Sequence, residues 1–171
     1  MSLRTRAPQA AHADADRPPR PATRRRRRLP SRLALLLAAP LLVLGLAACD
    51  PTPEQDTVRR LVNETRRAHG LNALEDDPSV RLKAQGWADH LAATGSLAHS
   101  DLSGGLDHVP WVALAENVGR GASIEQVHQT YLGSSRHRAN VLDRRWERIG
   151  TGHAVGRDGR VYTVQIFVDI G

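Results

Sequence analysis

The chain has a single cysteine, Cys49, in 171 residues. No internal disulfide can form, so the folded part must be held by a packed core alone. An ordinary membrane-spanning helix is also missing. The apolar stretch LALLLAAPLLVLGLAA at 33–48 is 16 residues long and is broken by Pro40 and Gly45, whereas a span takes about 20 apolar residues. There is no internal repeat, no glycine-rich phosphate cradle, no Gly-x-Ser-x-Gly elbow and no His-Glu-x-x-His pair. The common nucleotide-binding, α/β-hydrolase and zinc-protease signatures are thereby excluded.

Excess positive charge is absent from most of the chain, although the whole carries +6 and has a pI near 10.8. Residues 1–48 hold 10 Arg and 2 Asp, a net of +8, while the remainder holds 14 basic and 16 acidic residues, a net of −2. A polyanion partner would have to be held by the first 48 residues, so no nucleic acid is expected to bind the rest. Those residues read as a disordered Pro/Ala/Arg-rich stretch over 1–23, then the arginine run Arg24–Arg28, then the apolar segment ending in small residues. That order describes a secretory signal peptide, with the arginines left on the cytoplasmic side. A short uncleaved anchor is the alternative. The arginine run also admits a twin-arginine export signal.

LAAC at 46–49 resembles the lipobox of bacterial lipoproteins. In those proteins the cysteine is acylated and becomes the first mature residue. The resemblance implies a leader and signal peptide over 1–48, a lipidated tether at 49–53 and a domain at 54–171. The mature protein would sit on the extracytoplasmic face of the cell membrane, anchored through Cys49. A free structural thiol is the bland reading of the same residue.

Local signals divide the domain into elements. Thr52, Pro53 and Gln55 form a capping-box start. Val58, Leu61, Val62 and Ala68 follow at helical spacing, with Gly70 as the stop. Asp77 and Pro78 open a second helix whose apolar stripe runs through Val80, Ala84, Trp87, Ala88, Leu91 and Ala92 to Gly95. Residues 95–110 read as loop. Ser123 and Gln126 cap a third helix to Leu132, and SSRHRANVL at 134–142 gives a short fourth. RIGTGHAVG and RVYTVQIFVDI flank a Gly-Arg-Asp-Gly turn and read as a hairpin. The second of these strands is apolar on both faces, which predicts a sheet covered by helices on both sides.

Seven histidines follow Cys49, and most need no special role. Glu116, in WVALAENVG, is more unusual. In an extended strand it shares a side with Val112, Leu114 and Val118. A carboxylate there needs a partner, and histidine is a natural one. The other reading places Glu116 at a turn or in solvent.

AHSD at 98–101, AENVG at 115–119, SSRHRANVL at 134–142 and RIGTG at 148–152 occur in that order. Together with NETRRAHGLNAL at 63–74 and VYTVQIFVD at 161–169, they resemble the CAP superfamily, in its disulfide-free bacterial branch. The resemblance implies an α+β fold, a three-layer α-β-α sandwich, with a central cleft carrying two His and two acids. His99, Glu116 and His137 match three of the four. Tyr131 and Ser134 stand where many eukaryotic members have Trp-x-x-Glu, so the second acid is missing. Asn117 completes the Glu-Asn motif, and Asn117, Tyr131 and Ser134 are the expected cleft neighbours.

The set implies a weakly bound zinc or other divalent cation on His99, Glu116 and His137. Some family members bind sterols or fatty acids elsewhere on the domain; a lipid or cell-wall ligand and a monomer are expected here. Three functions follow: a ligand-binding module that is not primarily an enzyme, a metal-dependent hydrolase of envelope peptide, glycan or lipid, or an adhesion domain with a vestigial cleft.

Overall fold

The computed structural model describes residues 2–6 and 50–171. The arginine run, the apolar segment and Cys49 lie outside the described residues. In chain order the elements are β1 (Ser2–Arg6), α1 (Pro53–Ala68), β2 (Glu75–Asp76), α2 (Pro78–Thr94), β3 (Ala113–Gly121), α3 (Ile124–Gly133), α4 (Ser135–Val141), β4 (Arg148–Val155) and β5 (Val161–Asp169). The strands form one sheet in the order β1-β3-β5-β4-β2, antiparallel except for the two-residue β2–β4 pairing. No helix among the described residues is long and apolar enough to cross a membrane.

The expected caps are present. Thr52 accepts from the Gln55 backbone and its own N–H donates to Gln55 Oε1, the reciprocal box that starts α1. Asp77 accepts from the N–H groups of Ser79 and Val80 at the start of α2. Gly95 ends that helix at φ 68°, a left-handed conformation that favours glycine. In α3 the box is looser: Ser123 accepts from Gln126, but the Gln126 side chain accepts from Ala122 instead of Ser123.

Two cores sandwich the sheet. On one face Val80, Ala84, Ala88 and Leu91 of α2 pack on Leu114 and Val118 of β3 and on Tyr162, Val164, Ile166 and Val168 of β5. On the other, Val62 of α1 and Val141 of α4 meet Ala113, Ala115, Trp146, Ile149 and Phe167. This is the three-layer α-β-α arrangement expected. The α1 stripe is narrower than its spacing suggests, because Leu61 is half-buried and Ala68 exposed. Polar residues take the remaining buried positions. Arg66 is 1 % exposed and donates to the carbonyls of Asn72, Val141, Asp143 and Trp146, latching α1 to two loops.

The RIGTG motif has a packing reason. A Cβ on Gly150 or Gly152 would overlap the backbone of Val80 or Ala84 respectively. Only glycine lets α2 approach β4 this closely.

One expectation is corrected. Residues 1–23 lack apolar periodicity and read as disordered, but Ser2–Arg6 forms a strand paired antiparallel with β3 from Asn117 to Ala113. An edge strand can be held by backbone pairing plus a few polar contacts, so hydrophobic patterning does not reveal it.

Candidate functional site

The site is organised by two successive residues of β3 that face opposite sides of the sheet. Glu116 lies among Leu114, Val118 and Ile166 on the α2 face and is 0 % exposed. An unpaired carboxylate there would cost several kcal/mol. Instead it receives three hydrogen bonds from the loop between α2 and β3. His99 Nδ1 lies 2.6 Å from Oε1, the Ser100 N–H reaches the same oxygen at 3.1 Å, and Ser100 Oγ reaches Oε2 at 2.7 Å. Ser100 donating to both oxygens makes the carboxylate the acceptor, so Nδ1 carries the hydrogen of the imidazole contact. The other ring nitrogen, His99 Nε2, is buried without a hydrogen-bond partner.

Asn117 works on the opposite face. Its amide donates to the His137 carbonyl at 3.2 Å and to Gln165 Oε1 at 3.1 Å, while its oxygen accepts from Asn140 at 2.9 Å. The His137 ring stands edge-on to Tyr131, with centroids 5.0 Å apart at 60°. Tyr131 is buried, and its hydroxyl donates to the Thr163 carbonyl at 2.9 Å. Burial pushes the phenol well above its ordinary range, with the Thr163 hydrogen bond opposing and the Glu116 charge adding. Gly119 makes room for it: a Cβ there would stand 2.8 Å from the Tyr131 ring. Ser134 is half-buried at the α3–α4 junction and makes no side-chain cap to α4.

His99 and Glu116 are therefore joined directly, and the backbone of His137 is tied to the next residue of the same strand. Both Glu116 oxygens accept hydrogen bonds, two on Oε1 and one on Oε2, so its carboxylate orients the imidazole. Among the described residues no cluster of three or more His, Cys, Asp or Glu is placed to hold a metal ion. A carboxylate behind an imidazole is how ligating histidines are usually held, but it supplies no ligand itself.

Three participants were not singled out from sequence. Ser100 follows His99 directly, and the need of a buried carboxylate for several donors is the signal that points to it. Gln165 interrupts an apolar strand, and Asn140 is a fully buried polar residue in a short helix. Both belong to the amide network around Asn117. A separate cavity of about 840 Å³, lined by Arg66, Arg144, Arg145, Trp146 and Arg148 among others, includes none of the site residues.

The model of the CAP family, described as the cysteine-rich secretory protein family, matches residues 59–167. Among solved structures, an outer surface protein of Borrelia burgdorferi superimposes with a TM-score of 0.62 at 18% identity, covering 70% of this chain and 95% of that one. An extracellular SCP-domain protein of Bacillus anthracis gives 0.59 at 22% identity, over 67% of this chain and 40% of its own. A cysteine-rich secretory protein of Staphylococcus aureus gives 0.56 at 25%, over 70% and 41%. The chain thus spans about two-fifths of these last two proteins but nearly all of the first. No curated protein matches it. With the family model running from α1 through β5, and the histidine–glutamate pair built on the strand that carries the Glu-Asn motif, the chain belongs to the CAP family.

Proposed function

We propose that this protein is an exported, Cys49-anchored binding module whose ligand pairs with His99. The carrying observation is His99 itself. Its Nδ1 is clamped by a buried carboxylate and its Nε2 is buried without a partner. An unsatisfied buried polar atom costs about 1–3 kcal/mol, so it marks a place where an added group gains a hydrogen bond or a coordinate bond. Export is supported by the signal-like leader and by likeness to proteins described as extracellular or outer-surface. A tether through Cys49 is supported by LAAC after the apolar run. Two acyl chains or more would hold it firmly, at ~0.8 kcal/mol per buried CH₂.

The test is a thermal-shift screen of the protein as purified from bacterial membranes, against lipids, wall fragments and divalent metals, beside His99→Ala. A ligand that stabilises the wild type and not the variant supports the reading. A ligand that stabilises both equally, or no stabilising ligand at all, overturns the His99 assignment. Chelator-sensitive turnover of an envelope substrate would move the protein to the hydrolase reading. Replacing Cys49 with Ser should release the protein or stall its processing. A wild-type product that is unacylated and soluble defeats the tether.

A further inference from the structure

The cavity of about 840 Å³ lies where the end of α1 meets the loop from α4 into β4. Four arginines line it, Arg66, Arg144, Arg145 and Arg148, against two carboxylates, Glu75 and Glu147. Two of the four are held from behind. Asp143 takes Arg145 as a fork, with Nε donating to Oδ1 at 3.2 Å and a terminal nitrogen to Oδ2 at 3.0 Å. The same guanidinium lies 5.1 Å from the centroid of the Trp146 ring. Arg148 donates to Asp77 Oδ2 at 3.1 Å. Neither carboxylate uses all the N–H groups of its arginine, and a guanidinium already held loses less freedom when a ligand arrives.

The other two arginines have no carboxylate in contact. Arg144 is exposed and enters no ion pair among the described residues. Arg66 is 1 % exposed, and its hydrogen bonds go to the carbonyl oxygens of Asn72, Val141, Asp143 and Trp146. Burial holds its guanidinium below the ordinary range, against the opposing charge of Asp143. A buried cation surrounded by carbonyl dipoles gains when an anion comes within reach. Of the two acids in the lining, Glu147 is engaged by the Ile170 N–H at 2.7 Å, and Glu75 is exposed.

We propose that this cavity binds a phosphate ester through Arg144, Arg145 and Arg148, with Arg66 as a buried positive charge in its wall. Phosphate is favoured over carboxylate because it offers several guanidiniums more acceptor oxygens and more charge. The volume falls within the range of small-molecule sites, ~300–1,000 Å³, and far exceeds a phosphate ion, so the phosphate is one end of a larger molecule. A soluble phosphate ester and a phospholipid headgroup share this chemistry. The site goes beyond the His99 reading, since no residue of that site lines the cavity.

Calorimetry on the protein as purified from bacterial membranes tests this with two probes, glycerol phosphate and dihexanoyl phosphatidylglycerol below its micelle concentration. Glycerol is the blank and should not bind. Binding of glycerol phosphate assigns a soluble ester, and tighter binding of the short-chain lipid assigns a headgroup. Arg144→Glu should weaken the bound probe by about tenfold or more, and exposure of Arg144 leaves the core intact. Arg145→Lys keeps the charge but loses the fork, and should weaken it by about tenfold. Arg157→Glu makes the same charge change at an exposed position between β4 and β5, outside the cavity, and should leave affinity unchanged. Binding of neither probe, full affinity in Arg144→Glu or Arg145→Lys, or an equal loss in Arg157→Glu would each overturn the proposal.

Discussion

His99 and Glu116 are 17 residues apart in sequence, yet Nδ1 and Oε1 meet at 2.6 Å with the carboxylate wholly removed from solvent. The contact fixes the imidazole of a loop residue to a carboxylate that lies in the middle of strand β3. Ser100 adds two further hydrogen bonds, one to each carboxylate oxygen. Orientation of the imidazole therefore belongs to Glu116, and in the proposed function ligand contact is assigned to His99.

A first expectation concerns stability. Glu116→Ala leaves the His99 Nδ1–H and both Ser100 donors without their acceptor, and should lower the unfolding free energy by about 3 kcal/mol. His99→Ala leaves the carboxylate with its two Ser100 bonds and should cost only about 1 kcal/mol. Urea denaturation of both variants checks the ranking. A Glu116→Ala protein as stable as His99→Ala would mean that the carboxylate is not the hub.

Zinc should bind weakly, and Glu116 should influence it only through His99. Glu116→Gln keeps the shape while removing the charge behind the imidazole, so any zinc affinity should fall by about tenfold, in the manner of an outer-shell change. Calorimetry at neutral pH reads this. Tight binding lost entirely in Glu116→Gln would instead make the carboxylate a direct ligand.

Mild acid should destabilise the fold through two histidines. Burial depresses the proton affinity of His128, against the opposing charge of Glu64, and burial depresses that of His153, against Glu54. Both hold a proton less readily folded than unfolded, where the ordinary value is 6.5. The unfolded chain then binds more protons, so this stability is full above pH 6.5 and is lost as pH falls toward the folded-state values. His128 also meets Thr65 Oγ1 at 2.8 Å through Nε2, so His128→Gln keeps a hydrogen-bonding group there while removing the titration. Melting temperatures between about pH 7.5 and about pH 5.5 should fall less in this variant than in the wild type. A slope unchanged by His128→Gln would remove it from the account.

Gly150→Ala and Gly152→Ala should each cost ~3 kcal/mol or more, because the added methyl overlaps helix backbone instead of a movable side chain. Gly133→Ala, at the last position of α3 with no neighbouring atom within 4 Å, is the control and should be neutral or slightly stabilising. Equal melting temperatures for all three would show that α2 is free to lift from β4.

Residues 50–171 contain no cysteine, so the melting temperature should be the same with and without reductant. A fall on reduction would point to a covalent link through Cys49.

What the sequence determined by itself is whatever depends on near neighbours along the chain. Thr52, Asp77 and Ser123 announce their helices because a cap is satisfied within three residues, and the β4–β5 hairpin is written as two strand-like runs around a glycine turn. The order of short motifs likewise carried the family and, through it, His99, Glu116 and His137. Tertiary structure decided what those residues do. Ser100 becomes a double donor only because the loop before β3 folds back over Glu116, and Asn140 and Gln165 join Asn117 from other elements. The role of Glu116 as the acid that orients His99 rests on which donors the loop brings to its two oxygens. The strand at Ser2–Arg6 was illegible for the same reason: its partners are backbone groups of β3 and side chains more than a hundred residues away, and no local pattern encodes a partner at that distance.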